Sequence, residues 1–263
     1  IVPVGNVYFS GRYNGICTAS LNVRSVIACT PRHDCSQCHQ TNEKLVGEAI
    51  KGLTDKVFVS SKFGHKFVNG VQIKTEEDSS PTNIRRVCEN SLRNLGMETL
   101  GIFYQHRIDP KTPIESVAET VAQLIKEGKV LGFGLCEVNA ETIRRAHAVC
   151  PITAIQSEYH IMHRNVEFSG VLKVCEELNI GFVPYSPLNR GFLGGAINEY
   201  TQFDPNNDNR QTLPRFQPNA IRANTRWCSP TVSGNFLKPG KQPPTGAKAS
   251  KTFFCAAIFR YIW

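Results

Sequence analysis

Five short hydrophobic runs in this chain end in polar side chains of types that do chemistry. They are Lys62 in KVFVSSKFG, His106 in FYQHRIDP, Cys136-Glu137 in VLGFGLCEV, Gln156 in ITAIQSEY and Tyr185-Ser186 in GFVPYSP. One polar residue at a strand end means little, because a strand must end in something. Five on one expected face are harder to dismiss. An ammonium and an imidazole at the rims of consecutive strands can act on a substrate's protons and charges, which points to an enzyme. His33, Cys35, Cys38 and His39 also supply zinc-ligand types around one CxxC. Their spacing is cramped and no second CxxC or spaced His pair follows, so no metal is expected there.

The elements that must position these residues alternate regularly from Thr41 onward. Leu45, Val46, Ala49, Ile50 and Leu53 mark one face of a helix with Thr41 as its N-cap, and residues 56–62 follow as a buried strand. Ser80-Pro81 opens a second helix as N-cap and first helical residue, and Gly96 stops it. Residues 99–106 form the next strand, and Thr112-Pro113-Ile114-Glu115 reads as a capping box before a helix that Gly128 ends. A strand over 130–136, a helix capped by Asn139, a strand over 152–159, a helix around Val171–Leu178 and the strand GFVPYSP complete the rhythm.

Strands alternating with helices of this length predict parallel βαβ units, hence an α/β fold. Five such units are too few to close a (β/α)₈ barrel, so the expectation is an incomplete barrel with irregular ends. Residues 1–40 hold a β-like SVIAC but no amphipathic helix, and about 191–224 reads as a long polar loop. The expected organisation is therefore an atypical segment 1–40, a barrel core 41–225 and an atypical basic tail 226–263.

Charge divides the chain at the same places. Residues 41–225 balance 21 basic against 21 acidic side chains, whereas 1–40 carry +2 and 226–263 carry +6. The basic residues of the tail are spread out without regular aromatic interleaving, which argues against nucleic acid as a partner. Cys88, Cys136, Cys150 and Cys175 sit singly inside periodic apolar segments, as small hydrophobes do. That usage fits a reducing cytoplasm, and no apolar stretch is long enough for a spanning helix.

The stretches TNEKLVGEAIKG, KVFVSSKFG, SLRNLGMETLGIFYQHRIDP, EGKVLGFGLCEV, AIQSEY and VPYSPLNRGFL together closely resemble the aldo-keto reductase family, over residues 41–224. The subgroup resembled is that of broad-substrate bacterial and plant reductases. The resemblance implies a (β/α)₈ barrel that reduces aldehydes and ketones with NADP(H). In the family a Tyr donates the proton, a Lys paired to an Asp lowers the phenol's pKa, and a His orients the carbonyl. Lys62 matches that Lys and His106 that His. Gln156 matches the residue binding the nicotinamide carboxamide, and Cys136-Glu137 stands where relatives carry Ser followed by Asn or Glu. Tyr185 matches the aromatic stacked on the nicotinamide, while Ser186, Leu188, Arg190 and Gly191 match the segment around the pyrophosphate. The absence of GxGxxG suits a barrel binder.

The family's Asp and Tyr belong in a D-T-A-x-x-Y-G pattern ahead of the TNEKLVG helix. Here that stretch reads PRHDCSQCHQ, and no tyrosine lies between Asn14 and Asn42. After Asn224 the family pattern also stops, with Arg226-Trp227-Cys228 opening something unrelated. The coincident breaks predict that both ends derive from another reading frame or a disrupted gene. Three function classes follow: a working NADPH-dependent reductase of small carbonyl compounds, a non-catalytic family remnant, and a basic binding protein acting through its tails. The polypeptide as written is expected to be a family member by descent with poor turnover of its own.

Overall fold

The computed structural model describes residues 24–27, 38–54, 56–68, 71–205 and 208–225. Its contacts divide the chain into two compact units, Ile1–Ser157 with Asn165–Pro184, and Glu158–Arg164 with Tyr185–Trp263.

The first unit is built on a parallel sheet. Strand β1 (Arg24–Ile27) leads to helix α1 (Cys38–Ala49) and strand β2 (Val57–Val68). Strand β3 (Val71–Asp78), helix α2 (Pro81–Leu95), β4 (Leu100–Gln105), α3 (Ile114–Lys126) and β5 (Val130–Cys136) follow. The series ends with α4 (Ala140–Val149), β6 (Ile152–Glu158), α5 (Asn165–Phe168), α6 (Val171–Glu177) and β7 (Gly181–Tyr185). The sheet order is β1-β2-β4-β5-β6-β7, with β3 paired to β2 alone. The β1–β2, β2–β4, β4–β5 and β5–β6 pairs are parallel, and β2–β3 is antiparallel.

Among the described residues the sheet thus has seven strands where the sequence rhythm predicts five. The β-like stretch in SVIAC is one of the additions: β1 lies parallel to β2 and α1 makes the crossover. The other is β3, whose polar sequence VQIKTEED conceals a strand because it pairs in a hairpin and not in the buried ladder.

Helix ends follow the local chemistry in most places. The Ser80 hydroxyl accepts from the Asn83 N–H, the Asn139 side chain accepts from Thr142 N–H, and Gly96 closes α2 in the left-handed conformation. The expected capping box at Thr112–Glu115 does not form. Pro113 is the N-cap without a side-chain bond, and the Thr112 hydroxyl instead donates to Asp109 Oδ2 at 2.8 Å. A buried carboxylate competes successfully for that hydroxyl, because an ionised acceptor makes the stronger hydrogen bond.

Helix α1 starts at Cys38, ahead of Thr41, and buries a different face from the one its apolar residues suggest. Leu45 and Leu53 are 60% and 43% exposed, and Ala49 is exposed as well. The inward positions are Glu43, Val46, Gly47 and Ile50, spaced i, i+3, i+4, i+7. Glu43 accepts hydrogen bonds from Ser61 Oγ (2.7 Å), Ser91 Oγ (2.6 Å) and Asn94 Nδ2 (3.0 Å). A Cβ on Gly47 would lie 2.8 Å from the Asn94 and Leu95 carbonyl oxygens, so glycine permits the close approach of α1 to α2. A buried carboxylate and a glycine are invisible to a count of apolar residues.

The main core lies between the sheet and its helices, with Val59, Phe103, Phe133, Leu135 and Ile155 from the strands meeting Ile84, Val117, Val121 and Ile143 from the helices. Cys88, Cys150 and Cys175 belong to it, and burial pushes their thiols up to about 12, about 11 and about 11 respectively. They are inert packing groups, as their place in the sequence predicts. Among the described residues no helix is long and apolar enough to cross a membrane.

In the second unit the stretch read as a long polar loop carries 3₁₀ turns at Asn189–Gly194, Asn209–Thr212 and Pro214–Phe216, then helix α7 (Pro218–Asn224). Phe192, Ile197, Phe216 and Ile221 bury one another in a small core of its own. Widely spaced single apolar residues in a polar segment carry no periodic signal, which is why sequence reading misses this cluster.

Replacing Glu43 by Ala leaves two hydroxyls and an amide without their acceptor, and should cost about 1–3 kcal/mol in urea denaturation. Gly47→Ala should cost a similar amount, about 1–3 kcal/mol, by forcing α1 away from α2.

Candidate functional site

Side chains alternate across a strand with period two, and that rule assembles the first part of the site. Ile102 and Tyr104 on β4, Ala154 on β6 and Phe58 on β2 pack together on the sheet face opposite the helices, with Cys136 and Val183. Lys62 is two steps of the pleat beyond Phe58, and Gln156 is one step beyond Ala154. Both therefore emerge on this same face at the C-terminal end of the ladder. There Lys62 Nζ donates to Gln156 Oε1 at 2.5 Å, and Cys136 Sγ lies 3.9 Å from the same oxygen. Lys62, Cys136 and Gln156 are all buried. Among the described residues no carboxylate pairs with the Lys62 ammonium.

Lys62 does not end its strand, as the sequence suggests it should. β2 runs six residues further, to Val68, but its parallel pairing with β4 stops at Phe63↔Gln105. Beyond Gly64 it pairs antiparallel with β3. Gly64 has φ 116 and would bring a Cβ within 3.3 Å of the Arg107 carbonyl oxygen, so this pivot needs glycine. His106 follows the last residue of β4, and its N–H donates to Phe63 O at 2.8 Å.

The segment after His106 is pinned by residues that pattern reading passes over. Asp109 accepts from Ser79 N–H (2.9 Å), Lys111 N–H (2.9 Å) and the Thr112 hydroxyl. Burial alone would raise its carboxyl, but these three donors outweigh burial and hold it below the usual range. Gln105 Nε2 donates to Ser79 Oγ at 2.8 Å, tying the other side of His106 to the same residue. On the hairpin, His65 Nδ1 lies 2.9 and 3.1 Å from the Glu77 carboxylate oxygens. The His65 ring packs on the His106 ring, with centroids 4.4 Å apart.

Glu137, directly after β5, has φ 52 and donates its N–H to Gln156 O at 3.0 Å. In the second unit Ser186, Asn189 and Arg190 are also non-glycine residues at positive φ, followed by Gly191 at φ 93. Such strain, worth about 1–3 kcal/mol per residue, collects where backbone must face a ligand. Asn189 is 1% exposed, and its Oδ1 and the Arg190 Nε are buried without a hydrogen-bond partner among the described residues. Tyr185 accepts at its carbonyl from Tyr159 N–H (3.4 Å), and Leu188 O accepts from both Gly191 and Leu193 N–H groups. Also in this unit, Glu158 Oε1 bonds His160 Nε2 (2.9 Å) and Arg215 Nη2 (2.7 Å).

The site residues expected from sequence therefore fall in two groups. The first unit holds Lys62, His106, Cys136, Glu137 and Gln156, and the second holds Tyr185, Ser186, Leu188, Arg190 and Gly191. His33 and Cys35, with the side chains of Cys38 and His39, lie outside the described residues, and no cluster of metal-ligating side chains occurs within them.

The family model for aldo/keto reductases matches residues 31–233. The chain belongs to the aldo/keto reductase family. The match extends beyond both ends of the 41–224 stretch that carries the motifs, so the breaks at PRHDCSQCHQ and Arg226 lie inside it. A protein of Glycine max described as probable aldo-keto reductase 1 is 41% identical over 184 residues, covering 70% of this chain and 52% of its own. The chain thus spans about half the length of this curated relative. Among solved structures, the glycerol dehydrogenase of Gluconobacter oxydans matches with TM-score 0.65 and 29% identity over 76% of this chain and 59% of its own. An aldo/keto reductase of Klebsiella pneumoniae, solved in complex with NADP and acetate, matches with TM-score 0.51 and 25% identity, covering 65% and 54%. The parallel α/β sheet of this aldo/keto reductase is accordingly that of the family's barrel, matched over part of its length.

Glu158 makes a pH dependence of stability testable. Burial opposes its ionisation, yet the His160 and Arg215 bonds outweigh burial and lower the carboxyl from 4.5 to about 2. A folded-state value below the unfolded one means stability that is complete above about pH 4.5 and is lost as pH falls toward about 2. Glu158→Gln should flatten that acid limb in thermal unfolding scans, leaving the wild type the more acid-sensitive protein.

Proposed function

We propose that this chain carries the carbonyl-binding and nicotinamide-binding residues of an NADP(H)-dependent reductase that converts aldehydes and ketones to alcohols. The observation that carries the reading is the buried Lys62–Gln156–Cys136 cluster at the end of the parallel ladder, with His106 at the end of the neighbouring strand. A buried ammonium favours a carbonyl oxygen on which negative charge develops. The residues present also fit the cofactor. Arg190 keeps a buried N–H donor without a partner, next to backbone in the left-handed conformation, and such groups suit a pyrophosphate.

In this reading Gln156 and Cys136 meet the nicotinamide carboxamide, with Glu137 beside them. By resemblance to the family, Tyr185 is assigned to the nicotinamide ring and Ser186, Leu188, Arg190 and Gly191 to the pyrophosphate. The cofactor, when bound, supplies the hydride. Lys62 and His106 hold the substrate oxygen, the former by charge and the latter by a hydrogen bond that fixes the carbonyl's direction. The Klebsiella relative's complex with NADP supports the cofactor assignment. Cys136 is a weaker hydrogen-bond group than a serine would be, so Cys136→Ser should tighten the cofactor's hold.

A second reading, a family remnant without turnover, draws on one specific observation. Lys62 is held by a neutral amide, and residues 31–40 supply no tyrosine whose phenol it could tune. The two readings separate on Lys62→Met, with NADPH oxidation followed in the presence of an aromatic aldehyde. The reductase reading expects turnover that falls by about 10²-fold or more in the variant. Turnover that is negligible in both proteins leaves the remnant.

A further inference from the structure

The stretch that should carry the family's proton-donating tyrosine has none, yet an ionisable pair stands beside His106. His65 and Glu77 are directly opposite each other in the β2–β3 hairpin. The carboxylate at His65 Nδ1 orients the ring and fixes Nδ1 as the nitrogen it holds, which leaves Nε2 to exchange a proton. Among the described residues Nε2 has no hydrogen-bond partner. The His65 side chain is 17% exposed, so it is enclosed but reachable by water. Its ring lies against His106, centroids 4.4 Å apart and planes tilted by 58°.

Several of the other charges nearby are already committed, and Arg107 follows His106 as a further exposed charge. Lys66 on β2 and Lys111 after β4 both pair with Glu76, at 2.8 and 3.5 Å, and Asp78 accepts from the Ser80 N–H and hydroxyl. Among the described residues Glu77 pairs with His65, and Lys62 with Gln156. A plain cross-strand ion pair would serve on the hairpin's outer end. This one lies where β2 leaves the parallel ladder, its ring tilted against that of the residue expected to hold a carbonyl.

We propose that the Glu77–His65 dyad donates the proton to a carbonyl oxygen held at His106, the part played in relatives by a tyrosine. The proposal rests on the reductase reading. As hydride from the reduced nicotinamide dinucleotide adds to the carbonyl carbon, the C=O π pair moves to oxygen. The Nε2–H bond of doubly protonated His65 breaks, an O–H bond forms, and the neutral imidazole regains its proton from water. Glu77 stays ionised throughout and acts by holding the ring.

The test uses the full chain with NADPH and benzaldehyde, between about pH 5 and 9, where a histidine changes charge. Wild type, His65→Gln, Glu77→Gln and Lys62→Met are compared, each checked for an unchanged thermal unfolding midpoint. His65→Gln should lower kcat by about 10²-fold with KM little altered, and should remove the fall in kcat on the alkaline side. Glu77→Gln should keep part of the activity and displace that limb. Independently of turnover, the His65 Cε1–H resonance should titrate with the same midpoint as the wild-type limb and move in Glu77→Gln. Turnover that Lys62→Met abolishes but His65→Gln leaves intact, with the limb unmoved, overturns the dyad and spares the reductase reading. Turnover indifferent to Lys62→Met, or absent from the wild type, overturns both.

Discussion

The two-residue pleat of a parallel strand is the constraint on which the candidate site depends. Because side chains alternate, every second residue of β2, β4, β5 and β6 faces away from the helices. Phe58, Ile102, Tyr104 and Ala154 fill that face, and further along the same pleat come Lys62, Cys136 and Gln156. A one-residue slip in any of these strands would send its polar residue into the helix-side core and its core residue into the site. The same register that packs Val59, Phe103 and Leu135 against the helices thus brings an ammonium, a thiol and an amide together.

That register is held by polar groups as much as by apolar ones. Glu43 gathers Ser61, Ser91 and Asn94, which join α1, β2 and α2 through one carboxylate. Asp109 gathers Ser79, Lys111 and Thr112, which fixes the segment leaving His106. Buried charges are tolerated only when their hydrogen-bonding capacity is met, so each such group specifies several neighbours at once. In the second unit Glu158 does the same for His160 and Arg215.

The hairpin of β2 and β3 adds an element that a bare parallel ladder lacks. By running past Phe63 through the left-handed Gly64, β2 lifts His65 and Glu77 above the rim while keeping them beside His106. In the proposed reading the missing tyrosine at PRHDCSQCHQ and the ionisable pair at His65 concern the same proton. Descent in this family and the chemistry open to this particular polypeptide are therefore separate matters, and the second depends on residues outside the motifs.

Much of the fold is legible from local pattern. Ser80, Asn139 and Gly96 mark helix ends by bonds within a few residues, and the ends of β4, β5 and β6 follow from apolar runs. The motifs identify the family, and they place Lys62, His106 and Gln156 in or directly after strands of one sheet. What local pattern misreads has a common cause, because each case turns on a partner far away in sequence. Thr112 looks like a cap until Asp109 claims its hydroxyl. Leu45 and Leu53 look like a buried face until Glu43 and Gly47 turn α1 the other way. VQIKTEED looks like loop until it pairs with β2. The end of β4 before His106 was visible in the sequence alone, because it is set by short-range periodicity, whereas the continuation of β2 past Lys62 was not. Only the tertiary structure joined Lys62 to Gln156 and His106 to His65 and, through it, to Glu77, because hydrogen bonds and ring contacts across strands depend on register, which no single run of residues contains.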